Sequence, residues 1–219
     1  MTELLVRVQH HPSREALLPA LRTSLLPLAV EISTHASDPP NPWLGYYQAI
    51  SDLRSCSHVL VLQDDVIVCK NFAPTLEIIA SKKAEIPVVL FLAHLPRRIA
   101  AQSLQSSKRG LRYHDTRFRI NEFCPVVGIL WPVEKAKEFV AWADANPNRL
   151  GHPAPRSDDG VLGRWCALTQ QVVRFTIPSL VEHPDREKST IGRTATWGKD
   201  RGRVALNFCQ DDPLDLDWS

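Results

Sequence analysis

The chain has 219 residues, of which 44% are hydrophobic and 23% charged, and its formal net charge is +2, an ordinary composition for a globular protein. No apolar run approaches the ~20 residues of a membrane span, and residues 1–30 lack a signal peptide's basic start, apolar block and cleavage site. Five scattered cysteines form no CxxC pair, which disfavours a zinc site. We therefore expect a reduced, cytoplasmic protein.

The first part of the chain alternates between predicted strands and helices. Apolar runs at 4–8, 29–33 and 58–62 predict three strands. Ser13 is predicted to cap a helix after the first strand, and a second helix is predicted from Trp43. This β-α-β-α-β order is typical of a doubly wound parallel sheet.

The rest of the chain continues the pattern with one interruption. A helix is predicted over 71–83 and a buried strand over 86–93. Between 94 and 120 the periodicity fades, so we expect an excursion over the surface with at least one short strand. The next predictions are a strand at 126–131, in which Gly128 marks close approach by a ligand or backbone, and a helix at 133–145. The last are a helix from Ser157 and a strand at 172–177.

Asp64 and Asp65 directly follow the predicted strand at 58–62. Burying two unpaired carboxylates costs several kcal/mol, so we expect them at the carboxyl edge of the sheet, beside a cation, a basic group or water. Ligands bind at that edge in open α/β sheets, and Mg²⁺ is commonly held by one or two carboxylates plus phosphates. The alternative is a pair of solvated carboxylates in a turn.

Asp158 and Asp159 form a second acidic pair at the start of a predicted helix. Acids in a first turn suit the helix dipole, and Ser157 is a good cap. The functional alternative is a general base that faces an acceptor. His183, after the last strand, is either structural or completes a cation site with Asp65.

Basic residues are concentrated in two stretches. Residues 97–119 carry seven of them against one acid, Asp115, and 186–203 adds six more. Such stretches suit the phosphates of a nucleotide or a nucleic acid, while the alternative is a solvated loop. No GxGxxG or GxxxxGK[ST] motif is present, so neither a dinucleotide fingerprint nor a P-loop is indicated.

Four segments together resemble the GT-A nucleotide-sugar glycosyltransferases. HVLVLQDDV is similar to their strand ending in a DxD-type metal and diphosphate motif, and NPWLGYYQAI resembles the helix before it. SDDGVLGRW is similar to the acidic segment that supplies the base in inverting members, and IPSLVEHPDREKSTIG resembles the late strand followed by a metal-binding His. With QHHPSR near its start, the compact chain resembles small bacteriophage glycosyltransferases, some of which decorate modified DNA bases.

The resemblance implies a role for each matching residue. Asp65 and His183 would hold Mn²⁺ or Mg²⁺, and Asp158 or Asp159 would be the catalytic base. Because the motif is QDD and not a spaced DxD, it leaves open which of the two aspartates contacts the metal. Asp38 would contact the nucleobase, and Asp64 would contact the ribose or the metal. The full set of residues predicted to bind the donor is His10, His11, Arg14, Asp38, Asn41, Asp64, Lys188 and Arg193.

The fold implied is a single GT-A-like α/β domain, with a mainly parallel central sheet flanked by helices in doubly wound, Rossmann-like order. Residues 1–93 would bind the nucleotide sugar, 94–185 would hold the acceptor and the catalytic groups, and 186–219 would form a basic mobile segment and an acidic tail.

The function implied is metal-dependent transfer of a hexose from a nucleotide diphosphate sugar, with UDP favoured, to an acceptor hydroxyl. The acceptor is a hydroxymethylated base in double-stranded phage DNA, in the host cytoplasm, or else a saccharide or lipopolysaccharide. Alternatives of other classes are a non-catalytic nucleotide-sugar binding module and a metal-dependent phosphoesterase or nucleotidyltransferase.

Overall fold

The computed structural model describes residues 3–53, 56–83, 85–94, 96–122, 124–150, 157–184 and 204–218. The strands are β1 Leu4–His10, β2 Val30–Thr34, β3 His58–Gln63, β4 Ile67–Val68, β5 Val88–Val89, β6 Tyr113–Arg117, β7 Gly128–Pro132, β8 Val172–Thr176 and β9 Val181–Glu182. The α-helices are α1 Leu18–Ser24, α2 Pro42–Ile50, α3 Phe72–Lys83, α4 Arg97–Lys108, α5 Val133–Ala145 and α6 Asp158–Thr169.

Seven strands form the central sheet, in the order β2-β1-β3-β7-β5-β8-β6. Strands β2, β1, β3, β5 and β8 point the same way, while β7 and β6 run against them. The predicted mainly parallel α/β sheet is therefore confirmed. A separate two-stranded sheet pairs β4 with β9.

Helices cover both faces of the central sheet, as expected of a doubly wound arrangement. Alternate residues of β3 point to opposite faces, so Leu60 and Leu62 join the core that includes α1 and α3. Val59 and Val61 join the core that includes α2, α5 and α6. All four side chains are fully buried, which explains why this strand has no polar residue between His58 and Gln63.

The prediction for residues 94–120 is wrong in one respect, because α4 occupies much of the segment. The inward face of α4 consists of Ile99, Ala100, Ser103 and Ser106, at helical spacing. Two of these four buried residues are serines, so the apolar periodicity is weak. The short strand expected after it exists as β6, at the edge of the sheet.

The strand predicted over 86–93 is also wrong in extent, since β5 comprises only Val88–Val89. The following residues are just as buried, but the ladder ends at Leu90. Its nitrogen donates to Gly128 of β7, while its carbonyl accepts from the nitrogens of Leu180 and Val181. A close approach is present at Gly128, but side chains make it and not the ligand or backbone that was predicted. A Cβ there would lie 3.0 Å from a Leu62 methyl and 3.2 Å from a Val181 methyl, so packing side chains require the glycine.

The segment after β1 also differs from its prediction. His11, and not Ser13, provides the cap, by accepting a hydrogen bond from the Ser13 nitrogen. A 3₁₀ segment, Pro12–Leu17, precedes α1, and Arg14 within it has the non-helical angles φ −117° and ψ 17°. This kink places Arg14 at the carboxyl edge of the sheet.

All five cysteines are free thiols. None of the helices in the described ranges combines the length and hydropathy that a bilayer crossing requires.

Candidate functional site

The carboxyl ends of β1 and β3 lie side by side, because the two strands are parallel neighbours. Asp64, the first residue after β3, is almost fully buried among donors. Its Oδ2 lies 3.0 Å from both His10 Nδ1 and the His11 backbone nitrogen, and its Oδ1 lies 2.9 Å from Arg14 Nη1. Both oxygens of Asp64 are thus engaged in fixing the end of β1 against β3.

Asp65 lies beside His183. Strand β4 begins two residues after Asp65 and pairs with β9, which ends one residue before His183. The small sheet therefore brings the two residues together, with His183 Nε2 3.2 Å from Asp65 Oδ2. The carboxylate of Glu182 holds the same turn by accepting from the backbone nitrogens of His183 at 2.8 Å and Ala205 at 2.7 Å.

Arg14 reaches both carboxylates from the kinked segment after β1. Its Nη1 lies 2.9 Å from Asp64 Oδ1 and 2.7 Å from Asp65 Oδ2. The three side chains are largely removed from solvent, with 12%, 4% and 0% exposure respectively. One guanidinium and two carboxylates leave one net negative charge at this edge of the sheet.

The side chains of Asp65 and His183 are suitable ligands for a divalent cation that also has ligands outside the protein. The described ranges contain no group of three or more His, Cys, Asp or Glu side chains placed to hold a metal ion. Asp65 and His183 supply a carboxylate and an imidazole 3.2 Å apart, whereas Asp64 is occupied by three other donors. Phosphate oxygens and water would complete the coordination, as is common for Mg²⁺.

Asp158 begins α6 and is buried at 5% exposure. It accepts a 3.0 Å hydrogen bond from the Asp159 backbone nitrogen, and its Oδ2 lies 3.5 Å from Gln9 Nε2. Burial raises the pKa of Asp158 to about 6, although hydrogen bonds from Asp159, Gln9 and Gln63 act to lower it. Gln9 and Gln63 pair across β1 and β3, so Asp158 lies at the same sheet edge as Asp64.

Asp159 has a different position from its neighbour. Its Oδ1 accepts a 2.9 Å hydrogen bond from the Val126 nitrogen, and its carbonyl accepts from the Cys124 nitrogen at 3.1 Å. These bonds fasten the segment that leads into β7. Ser157 caps α6 as predicted, through a hydrogen bond from the Gly160 nitrogen to its hydroxyl. The geometry thus favours Asp158 over Asp159 as the candidate base.

The remaining predicted donor-binding residues are spread over the molecule. Asp38 is exposed in the segment before α2. Asn41 caps α2 by accepting a hydrogen bond from the Leu44 nitrogen at 3.2 Å. Lys188 and Arg193, like the whole stretch 186–203, lie outside the described residues. Roles in donor binding for these four residues stay predictions.

The basic stretch at 97–119 divides into paired and exposed side chains. Arg98 makes a two-point contact with the Glu122 carboxylate, at 2.9 and 2.6 Å. This contact lowers the pKa of Glu122. The exposed members lie on α4 and in the segments that follow it: Arg97, Lys108, Arg109, Arg117 and Arg119.

Gln9 and Gln63 are site residues for which no role was predicted, although they begin the motifs QHHPSR and QDD. Each is a polar residue at the end of an apolar strand, which is the signal that identified Asp64. Gly45 was also missed: a Cβ there would lie 3.1 Å from Gln9 Nε2, so the glycine lets α2 approach Gln9. Gln9 also donates to the carbonyl of Pro42 at 2.9 Å, which fixes its amide next to Asp158.

The described residues thus form a mixed α/β domain with a carboxylate-rich site at one edge of its sheet. No protein-family model matches the chain, and no curated protein sequence matches it. Among solved structures, it is similar to galactosyltransferase LgtC in complex with donor and acceptor sugar analogs, at 10% identity and a TM-score of 0.40 over 78% of this chain and 72% of that one. It is also similar to apo glycosyltransferase GlyE of Streptococcus pneumoniae TIGR4, at 10% identity and a TM-score of 0.41 over 79% and 44%.

Proposed function

We propose that this chain is a glycosyltransferase that moves a hexose from a nucleotide diphosphate sugar, with UDP favoured, to an acceptor hydroxyl. The observation that carries the proposal is the arrangement along one sheet edge. Asp65, His183 and Arg14 form a site suited to a cation and phosphates, while Asp158 provides a separate buried carboxyl with a pKa of about 6. Transfer with inversion at the anomeric carbon uses both parts, the first to bind the diphosphate and the second to take the proton of the acceptor.

The donor would bind at the first part of this edge. Asp65 and His183 would hold Mn²⁺ or Mg²⁺, which would supply positive charge to the departing diphosphate. Arg14 adds a guanidinium suited to phosphate oxygens, and Asp64 fixes its position. His10 and His11 hold the end of β1, next to which the nucleotide would lie.

Asp158 would act as the general base. Above its pKa the carboxylate takes the proton of the acceptor hydroxyl as that oxygen attacks the anomeric carbon. The bond between the anomeric carbon and the diphosphate oxygen breaks, and its electron pair leaves with the diphosphate. A pKa near 6 suits this role, because the carboxylate is ionised at neutral pH and is a stronger base than an exposed aspartate.

For the acceptor we propose a hydroxymethylated base in double-stranded DNA, with the base flipped out of the helix. The exposed cations of α4 and the segments after it would contact the phosphate backbone. A saccharide or lipopolysaccharide acceptor would favour exposed aromatic platforms. Of the five aromatic residues that the sequence offers for that purpose, Trp43, Tyr46 and Trp131 are buried in the core, Tyr47 is half-buried, and Trp197 lies outside the described residues.

The donor is tested by thermal shift with UDP or GDP, each with and without Mn²⁺. We expect one of them to raise the melting temperature when Mn²⁺ is present, because a ligand that binds only the folded state stabilises it. The absence of any response would refute the proposed donor. Transfer assays with hydroxymethylated and unmodified DNA, and with saccharides, then identify the acceptor.

A non-catalytic nucleotide-sugar binding module is distinguished by the variant Asp158→Asn. If the chain is an enzyme, this variant binds the nucleotide but does not transfer the sugar. A binding module shows no transfer even as the wild type. A phosphoesterase or nucleotidyltransferase would need more than two clustered carboxylates, and the described ranges hold no group of three metal-ligating side chains.

A further inference from the structure

Arg14 occupies a position that matters for any cation bound at Asp65. A single guanidinium nitrogen bridges the two adjacent carboxylates, at 2.9 Å from Asp64 Oδ1 and 2.7 Å from Asp65 Oδ2. The oxygen that Arg14 contacts on Asp65 is also the one that lies 3.2 Å from His183 Nε2. A divalent cation held by Asp65 and His183 would therefore lie next to a fixed positive charge.

The two carboxylates are not equally able to release Arg14. Asp64 has other donors on Oδ2, the His10 ring and the His11 nitrogen, and the Asp64 side chain is 4% exposed. His10 is itself held on its other ring nitrogen by Glu15, at 3.0 Å. Hydrogen bonds thus hold Asp64 against the end of β1, and it retains Arg14 when the contact between Arg14 and Asp65 breaks.

We infer that Arg14 is a tethered competitor of the divalent cation at Asp65, and that the diphosphate of the donor relieves the competition. This inference rests on the proposed function. Without a diphosphate, Arg14 neutralises Asp65 and opposes a second cation there. With a diphosphate, the guanidinium gains an anionic partner that can accept two hydrogen bonds, and Asp65 becomes available to the cation.

The consequence is that cation and donor increase each other's affinity through one side chain. Binding linkage is reciprocal, so the factor by which nucleotide raises metal affinity equals the factor by which metal raises nucleotide affinity. Part of that factor comes from the charge of Arg14, so the factor should become smaller when that charge is removed. The empty protein is thereby kept from sequestering a metal ion without substrate.

The test measures Mn²⁺ affinity from the electron paramagnetic resonance signal of free Mn²⁺, with and without UDP or GDP. Arg14→Gln removes the charge and keeps an amide donor for Asp64, while Arg14→Lys keeps the charge but offers a compact ammonium in place of the fork. Arg22→Gln, at an exposed position on α1, is the matched control. Circular dichroism establishes that each variant is folded.

We expect Arg14→Gln to bind Mn²⁺ without nucleotide about tenfold more tightly than the wild type, and nucleotide to raise its Mn²⁺ affinity by a smaller factor. The Mn²⁺ affinity of Arg14→Lys should lie between those of Arg14→Gln and the wild type. If Arg14→Gln does not fold, the affinity of Arg14→Lys alone decides the question. Arg22→Gln should equal the wild type.

Wild-type or weaker Mn²⁺ affinity in both Arg14 variants, with nucleotide-dependent stabilisation intact, would overturn the inference and leave the proposed function standing. A gain in Mn²⁺ affinity with no effect of any nucleotide would support the competition at Asp65 and overturn the proposed donor. Because the readout is metal binding, the two failures are separable.

Discussion

The two Asp-Asp pairs of this chain are identical in sequence but differ in their surroundings. Asp64 and Asp65 follow a strand and face positive or ionisable groups: Arg14 contacts both, and a histidine lies against each. At the start of α6, Asp158 is also buried, but the donors around it are neutral, namely two glutamine amides and a backbone nitrogen. Arg14 offsets part of the negative charge of the first pair, whereas the donors around Asp158 offset none of its charge.

This difference assigns different chemistry to the two pairs. Carboxylates placed beside a guanidinium and a histidine are suited to holding a cation or a phosphate-binding arginine. A buried carboxylate with neutral donors has a raised pKa and takes up a proton more readily. Within each pair, one residue accepts a hydrogen bond from a distant backbone nitrogen. Asp64 accepts from His11 after β1, and Asp159 accepts from Val126 before β7.

The largest effect is expected for Asp65→Asn. The substitution preserves shape but removes the charge that would hold the cation with His183. We expect sugar transfer to fall roughly 10³-fold or more, because several kcal/mol of transition-state stabilisation is lost. Stabilisation by nucleotide should no longer depend on Mn²⁺, as measured by thermal shift.

Asp64→Asn is the matched comparison within this pair. We expect it to lower the free energy of unfolding by about 3 kcal/mol, because a buried acceptor of charged donors is weakened. The metal response should persist in the folded fraction. If Asp64→Asn abolished the response to Mn²⁺ and Asp65→Asn retained it, our assignment within the pair would be reversed.

Asp158→Asn should have the next largest effect, and it should act on turnover without acting on donor binding. Loss of a general base costs about 10²–10⁴-fold in rate. The wild-type kcat/KM should rise tenfold per pH unit below pH 6 and level off above it, because the base must be ionised. A pH profile unchanged in the variant would show that another group is the base.

The same substitution should stabilise the protein at alkaline pH. The pKa of Asp158 is about 6 in the folded protein and 3.8 in the reference state, so the folded form binds the proton more tightly. Wild-type stability therefore falls as pH rises from about 4 to 6, and the asparagine variant lacks this loss. From urea denaturation at pH 8 we expect the free energy of unfolding of Asp158→Asn to exceed that of the wild type by about 3 kcal/mol, and the difference to vanish near pH 4.

Asp159→Ala should affect stability more than catalysis. It leaves the buried Val126 nitrogen without its acceptor, which costs about 1–3 kcal/mol. We expect kcat to change less than tenfold. Asp159→Asn keeps an acceptor oxygen and should lie within about 1 kcal/mol of the wild type. If the Asp159 variants lost more kcat than Asp158→Asn, Asp159 would be the base in place of Asp158.

Local patterns in the sequence were enough to predict β3, the acidic pair that follows it and the cap of α6. Those features depend on residues close together in the chain. The division of roles that we propose within each pair depends on contacts between distant residues, which local patterns do not show. Arg14 reaches Asp64 from 50 residues away, and Val126 reaches Asp159 from 33.

The errors have the same origin. Helix α4 was missed because Ser103 and Ser106 occupy its inward face, and a buried serine gives no hydropathy signal. Strand β5 was predicted too long because burial continues after the ladder ends. Burial is visible in a sequence, but the partner of a backbone nitrogen is a property of the assembled fold.

The smallest predicted effect concerns Gly45, which connects α2 to the second pair through Gln9. A Cβ at Gly45 would lie 3.1 Å from Gln9 Nε2, and that nitrogen is held by the Pro42 carbonyl at 2.9 Å and by Asp158 at 3.5 Å. Alanine favours a helix over glycine by about 1 kcal/mol, which offsets the crowding, so the free energy of unfolding should change little.

Gly45→Ala should instead displace the Gln9 amide by a few tenths of an ångström and weaken its hydrogen bond to Asp158. Because that bond lowers the pKa of Asp158, its loss should shift the acid limb of the pH profile to higher pH. Gly160→Ala is the control, since a Cβ there meets only Ser157, at 3.7 Å. A profile that moved equally in both variants, or in neither, would show that Gln9 does not tune the base.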